Sequence, residues 1–290
     1  RIMTANSVWT IQRILQWTTQ YFKIHHIEEA RLDAELLLAH VLKKTRIYLY
    51  TNFEKILNKS ELSEYHTLIE KRVQGLCVAA LTGHKSFMGL DFYVNKNVLI
   101  PRPDTEEWVE KIIQRYRTVE NFKILDLGTG SGAIVLSFLT YCIGAIAVGI
   151  DISDDALDVA KKNGVLLSLS ERVEWRQGDF LKALKEGELF DGIFSNPPYI
   201  PTREIETLAK EVRHEPYLAL DGGIDGLDFY RLLVNGAANH LKPGGFLAFE
   251  VGINQSKIVE TMLQKTAFFT DFEIIKDLNG IERAIYCRKK

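Results

Sequence analysis

Two short stretches of the 290-residue sequence combine residue types and spacing that could do chemistry. Residues 126–132 read DLGTGSG, directly after KIL and directly before an apolar run. Residues 195–201 read SNPPYIP, at the end of FDGIFS. In the first stretch, glycines allow a sharp turn and close approach of the backbone to a ligand. Gly128, Gly130 and Gly132 are spaced G-x-G-x-G, not G-x-G-x-x-G as in dinucleotide binders, and no P-loop lysine follows. In the second, two prolines fix two φ angles and remove two N–H donors while their carbonyls remain acceptors. The product is a stiff loop carrying an amide, acceptor carbonyls and an aromatic face. A plain turn would use the same residues, so the surroundings must decide.

Two further groups fall at similar positions. Asp151 stands 21 residues after Gly130, at the end of AIAVGID. A carboxylate there can accept both hydroxyls of a ribose in the crevice where such sheets bind ligands. Gly178-Asp179-Phe180 follows VEWRQ and offers an acid to an adenine amine and a ring to its face. Acidic strand ends also serve as helix caps, and Asp151 or Asp155 alone could be only that. Ligand-sized groups after four consecutive expected strands favour a site.

The elements that must position these groups alternate. KILDL, AIAVGID, VEWRQ and FDGIFS read as strands separated by helices. A helix near 225–241, the turn Pro243-Gly244-Gly245, the strand FLAFEV and another helix follow. This alternation argues for a parallel sheet with helices on both faces. The chain closes with FEIIKDL-NG-IERAIYC; Asn279-Gly280 favours a tight hairpin, with the last strand antiparallel at the end of the sheet.

Upstream, residues 7–72 read as helices. Val8, Ile11, Ile14 and Leu15 share one face, and Ala30, Ala34, Leu37, Leu38 and Val41 another. Ser60 is expected to cap a third helix reaching about Arg72. FMGLDFYV, Asn95-Lys96-Asn97 and VLI read as a hairpin, and Asp104, with Glu107 three residues on, as the N-cap of the next helix. Expected domains are therefore 1–75 (helical), 76–104 (linker with hairpin) and 105–290 (catalytic).

Bulk properties narrow the class. Hydrophobic content of 46% and charged content of 26% are ordinary for a globular protein. A net charge of −2 gives no electrostatic case for wrapping nucleic acid. Residues 1–85 hold 12 basic and 8 acidic side chains, a small difference that hints at a docking half but that a solvated surface explains better. Cys77, Cys142 and Cys287 have no metal-like spacing, which fits a reducing cytosol without disulfide or zinc. The uncharged run 132–150 approaches the length of a membrane span. Gly144 interrupts it, and a buried helix, turn and strand are expected instead. No acid precedes Glu28, as in organellar presequences, but basic residues are few there and no presequence is expected.

The glycine loop, the ribose acid and NPPY after the fourth strand together resemble S-adenosylmethionine-dependent methyltransferases. LIPRPDTEEWVE at 99–110, EVRHEP at 211–216 and DGGIDGLDFYR at 221–231 further resemble the release factor glutamine methyltransferases (the PrmC/HemK family). The resemblance spans nearly the whole chain. It implies a Rossmann-like seven-stranded α/β sheet behind a small N-terminal helical domain and a β-hairpin linker. It also implies methylation of the side-chain amide nitrogen of the glutamine in the Gly-Gly-Gln loop of class I peptide chain release factors. Adenine or guanine in DNA or RNA is the alternative acceptor.

By the same resemblance, Asp126, Gly128, Thr129, Gly130, Gly132, Asp151, Ile152, Asp179, Phe180 and Asn196 hold S-adenosylmethionine. Asn196, Pro197, Pro198 and Tyr199 hold the glutamine, with Asn196, Pro197 and Tyr199 catalytic. Asn196 oxygen and the Pro197 carbonyl would accept the two amide protons, while Tyr199 stacks on the planar group. Arg102 touches the substrate backbone or pairs with an acid, and Glu250 faces the pocket or caps the following helix. His25, His26, His84 and His214 are expected on surfaces or in local hydrogen bonds rather than on a metal, and Trp9 and Trp17 in the core. No metal, direct nucleic-acid contact or membrane is expected, and the chain is expected to be a cytoplasmic monomer whose helical domain holds the release factor. Two departures stand out: CVAALTGHKSF lacks the Pro and Tyr frequent before the hairpin, and Phe180 replaces a frequent Trp.

Overall fold

The computed structural model describes residues 8–290, which form two units, one ending at Gly83 and the other spanning His84–Lys290. Residue 7, where the expected helical stretch opens, lies outside the described residues.

The first unit is helical: α1 (Ile11–Ile24), α2 (Ala30–Leu42), α3 (Arg46–Thr51), α4 (Lys59–Val73) and α5 (Val78–Thr82). Ile11, Ile14, Leu15, Ala34, Leu37 and Leu38 are fully buried. Val8 precedes α1 and is exposed, because Thr10 starts the helix by accepting the Arg13 N–H at 3.2 Å. Asn58, not Ser60, caps α4. Its side chain accepts from Glu61 N–H at 2.8 Å while Glu61 accepts from Asn58 N–H at 2.9 Å, a reciprocal arrangement that satisfies two otherwise unpaired donors. Trp9 is buried and meets Trp17 edge-on at 6.4 Å, as expected of core residues.

The second unit begins with β1 (His84–Phe87) and β2 (Leu90–Tyr93), then α6 (Pro103–Tyr116), β3 (Phe122–Leu127), α7 (Ala133–Tyr141), β4 (Ala145–Asp151) and α8 (Asp154–Leu166). It continues through β5 (Val173–Gln177), β6 (Phe190–Ser195), α9 (Lys210–Arg213), α10 (Tyr217–Leu220) and α11 (Asp228–Gly236). The chain ends with β7 (Leu241–Glu250), α12 (Ser256–Lys265), β8 (Phe269–Lys276) and β9 (Glu282–Lys289). The seven-stranded sheet has the order β5-β4-β3-β6-β7-β9-β8. Strands β3 to β7 run parallel, and β9 runs antiparallel to both neighbours. The last strand is therefore antiparallel as expected, but it sits inside the sheet and β8 takes the edge.

Three local expectations are corrected. The hairpin turns at Met88-Gly89, both with positive φ (53° and 71°), as a two-residue turn matched to strand twist requires. Asn95-Lys96-Asn97 lies beyond it. That hairpin belongs to the second unit, so the expected linker 76–104 is divided at Gly83. Phe87, Phe92, Val94, Val98 and Ile100 are buried, and Tyr93 N–H donates to Asn163 of α8 at 2.7 Å. Helix α6 starts at Pro103 with Arg102 as its uncapped N-cap; proline fits a first helical position because its missing N–H is unpaired there anyway. Asp104 follows inside the first turn and pairs with Arg283 at 3.3 Å.

The uncharged run 132–150 resolves into α7, a turn and β4. Among the described residues, no helix is long and apolar enough to cross a membrane. All three cysteines are free.

Candidate active site

A cavity of about 390 Å³ opens at the carboxyl ends of the parallel strands, where the strand order reverses around β3 and such sheets take their ligands. Its wall includes Gly128, Thr129, Gly130, Asp151, Ile152, Asp179, Phe180, Asn196, Pro197 and Pro198. These are residues from all four strand ends singled out in the sequence. Asp126, Gly132, Arg102 and Tyr199 are not part of the wall.

The glycine loop is held from below. Gly128 N–H and Thr129 N–H both donate to the Ile150 carbonyl at 2.9 Å, and Gly130 N–H donates to Asp151 Oδ2 at 2.9 Å. Asp151 Oδ1 accepts from Ser153 N–H at 3.0 Å. Burial raises the Asp151 pKa, opposed by these backbone donors. Asn163, fully buried, donates to the carbonyls of Ser131 and Tyr93 at 2.9 Å each. It thereby staples the hairpin to the loop. Nothing in the sequence pattern distinguished it from any other helical asparagine.

Asp126 sits beneath the loop with 1% exposure. Thr129 Oγ1 donates to its Oδ2 at 2.7 Å, while Oδ1 has no partner. Burial, and secondarily the charge of Asp151, pushes its pKa up to about 7 against the Thr129 hydrogen bond. A carboxyl whose folded pKa exceeds its ordinary value of about 4 costs stability above the ordinary value. Asp126→Asn is therefore expected to gain stability over the native chain progressively from about pH 4 to about pH 7, measured by urea unfolding without cofactor. An unchanged difference across that window would contradict the assignment.

Asp179 lines the cavity and pairs with Lys182 at 2.8 Å. Phe180 is buried with a φ of 53° and meets Phe229 edge-on at 5.3 Å. Asn196 forms no side-chain hydrogen bond with any described residue, and no described group donates to the Pro197 carbonyl. The loop that carries them is nonetheless fixed. Ile200 N–H donates to Leu220 O at 3.1 Å, Gly222 N–H to Ile200 O at 2.9 Å, and Gln255 Nε2 to Tyr199 O at 2.9 Å. A Cβ on Gly222 would meet Tyr199 Cα at 2.8 Å, so only glycine permits this approach.

Tyr199 is not among the residues lining the cavity; its hydroxyl donates to Glu250 Oε1 at 3.0 Å. Glu250 neither lines the cavity nor caps α12, whose N-cap Gln255 makes no side-chain cap bond. It is buried and also accepts from Thr105 Oγ1 and Trp108 Nε1. Arg102 takes the second of its two expected roles, pairing with buried Glu215, which also accepts the Ile100 N–H at 2.9 Å. Burial raises the Glu215 pKa, opposed by Arg102 and that backbone donor. This pair joins Leu99 and Pro101 on one wall to Pro216, Tyr217, Leu218 and Ala219 on another. Sequence reasoning missed the 216–219 wall; EVRHEP carried resemblance but no readable chemistry.

The residues fit S-adenosylmethionine. A Cβ on Gly128 or Gly130 would stand in open space, leaving the loop backbone accessible to a ligand in the cavity. Among the described residues, no cluster of His, Cys, Asp or Glu is arranged to hold a metal. His84 pairs with Asp91 at 3.2 Å instead.

Residues 13–83 match the family of the PrmC N-terminal domain, and residues 118–274 a methyltransferase domain. The release factor glutamine methyltransferase of Moorella thermoacetica is 42% identical over 264 residues, covering 91% of this chain and 93% of the relative. That of Geobacter sulfurreducens is 41% identical, covering 96% of each. The crystal structure of a methyltransferase from Pyrococcus furiosus superposes with a TM-score of 0.51 at 20% identity, covering 69% of this chain and 89% of that one, a likeness of fold.

Proposed function

The chain belongs to the release factor glutamine methyltransferase family, and from that premise we propose how its site performs the reaction. The enzyme transfers a methyl group from S-adenosylmethionine to the side-chain amide nitrogen of the glutamine in the Gly-Gly-Gln motif of class I peptide chain release factors. One observation carries the site assignment: Asn196 lines the cavity with its side chain unbonded, next to an equally unbonded Pro197 carbonyl, on a loop held rigid by its neighbours.

An amide nitrogen is a poor nucleophile because its lone pair is delocalised into the carbonyl. Asn196 Oδ1 and the Pro197 carbonyl accept its two protons and orient the nitrogen. The same acceptors stabilise the positive charge that develops there, the inverse of an oxyanion hole. Their rigidity means little reorganisation accompanies reaction. When bound, the cofactor supplies a methyl group on a sulfonium; Gly128, Thr129 and Gly130 would bind it, Asp151 would accept from its ribose, and Asp179 and Phe180 would hold its adenine. Ile152 would complete that lining, while Asp126 and Gly132 support the loop through Thr129 from outside the wall. No general base is required of the protein, because an N-protonated amide loses its proton readily.

The cavity wall carries Asp151 and Asp179 and no Lys, Arg or His. That lining supports a neutral carboxamide over a nucleotide with its phosphates. The helical unit ending at Gly83 is assigned to docking the release factor body. We assign no direct nucleic-acid contact, a cytoplasmic location and a monomer. Radiolabelled S-adenosylmethionine offered with purified release factor, DNA and RNA in parallel tests the reading. Label in the release factor supports it; label confined to nucleic acid overturns it.

A further inference from the structure

Glu250 is a strongly buried acid near the site for which the reaction as described has no use. Its carboxylate, at the end of β7, takes three donors: Thr105 Oγ1 at 2.5 Å, Trp108 Nε1 at 2.9 Å and Tyr199 Oη at 3.0 Å. No cation lies within ion-pair distance of it among the described residues. Burial raises the Glu250 pKa, opposed by these three donors; a buried carboxylate without a counter-ion is costly, and a ring of donors is the arrangement that favours its acceptor-only form. Two of its donors lead to the reaction centre. Tyr199 ends the loop that carries Asn196 and Pro197, and Thr105 itself lines the cavity.

We propose that Glu250 is a positioning residue for methyl transfer: it draws the Thr105 and Tyr199 hydroxyl protons inward, fixing the NPPY loop from behind and leaving Thr105 to present only oxygen lone pairs to the cavity. Thr105 then contributes an acceptor to the cavity that Asn196 and Pro197 also line, which suits a centre becoming positive. The inference rests on the functional reading above and adds to it a residue that does not touch the substrate.

Glu250→Gln tests it. Glutamine keeps the shape but brings an N–H₂ donor, so at least one of the three hydrogen bonds must invert or break. The expected result is a kcat lowered about 10- to 100-fold, with acceptor KM and cofactor Kd within about threefold, as for loss of an interaction made in the transition state. The melting temperature is expected to hold or rise, because a buried charge has been removed. A merely structural role predicts the reverse, a lower melting temperature with kcat intact in the folded fraction.

Thr105→Val provides a second reading that leaves the carboxylate in place. It is expected to lower kcat by a similar factor, Thr105→Ser to recover most of that loss, and the double variant with Glu250→Gln to lose little more than either alone. A kcat within about twofold of wild type in Glu250→Gln or in Thr105→Val overturns the proposal. Wild-type turnover on the release factor is measured in the same assay, so failure of the functional reading shows in the wild type and failure of this inference in the variants.

Discussion

Replacing Asn196 with alanine is expected to lower kcat for release factor methylation by about 10²- to 10³-fold, the loss seen when one preorganised polar partner of a developing charge is removed. The reasoning is local. Asn196 makes no side-chain hydrogen bond with any described residue, so its removal breaks nothing inside the protein. Its loop stays fixed through Ile200, Gly222 and Gln255. The melting temperature is therefore expected to move by no more than about 2 °C, as for a substitution away from packing and buried networks. Steady-state kinetics beside a thermal melt checks both halves. A variant with near-native kcat removes Asn196 from the chemistry; a variant that unfolds early makes it structural.

Gly130→Val has the other large expected effect, on cofactor binding. Gly130 has a φ of 55°, a conformation that costs a β-branched residue roughly 1–3 kcal/mol. A Cβ there would meet no protein atom within 4 Å; it would instead project into the space left for the ligand. Relaxing the strain by rotating the backbone would turn the Gly130 N–H away from Asp151, which accepts it at 2.9 Å. Either outcome damages the same site, so the Kd for S-adenosylmethionine is expected to rise at least about 100-fold, equivalent to about 2.7 kcal/mol. Isothermal calorimetry reads this directly. Unchanged affinity would show that the cofactor does not approach this backbone.

Much of the site was legible because its chemistry is concentrated at strand ends. Four strands were readable from short apolar runs, and a parallel sheet gathers the residues that follow them. The glycine loop, Asp151, Asp179, Phe180 and Asn196 thus converge by topology alone. What stayed hidden depends on contacts between residues distant in sequence. Glu250 is 145 positions from Thr105, whose hydroxyl it accepts, and Glu215 is 113 from Arg102. No periodicity encodes such pairs. Tyr199 shows the same limit: its motif gave no sign of the buried acid that accepts from its hydroxyl. Local signals misled where two competed. Asn95-Lys96-Asn97 carries the polar turn signal, but the hairpin turns at Met88-Gly89, with Phe87 and Phe92 on its strands buried.

The most direct measurement is the position of the transferred methyl group. Purified enzyme, S-adenosylmethionine and a class I release factor are incubated, and the factor is digested and sequenced by tandem mass spectrometry. One methyl group is expected, on the side-chain nitrogen of the Gly-Gly-Gln glutamine, with none when Asn196→Ala replaces the wild type. A methyl group on any other residue, or none on the release factor while nucleic acid is labelled, would contradict this assignment.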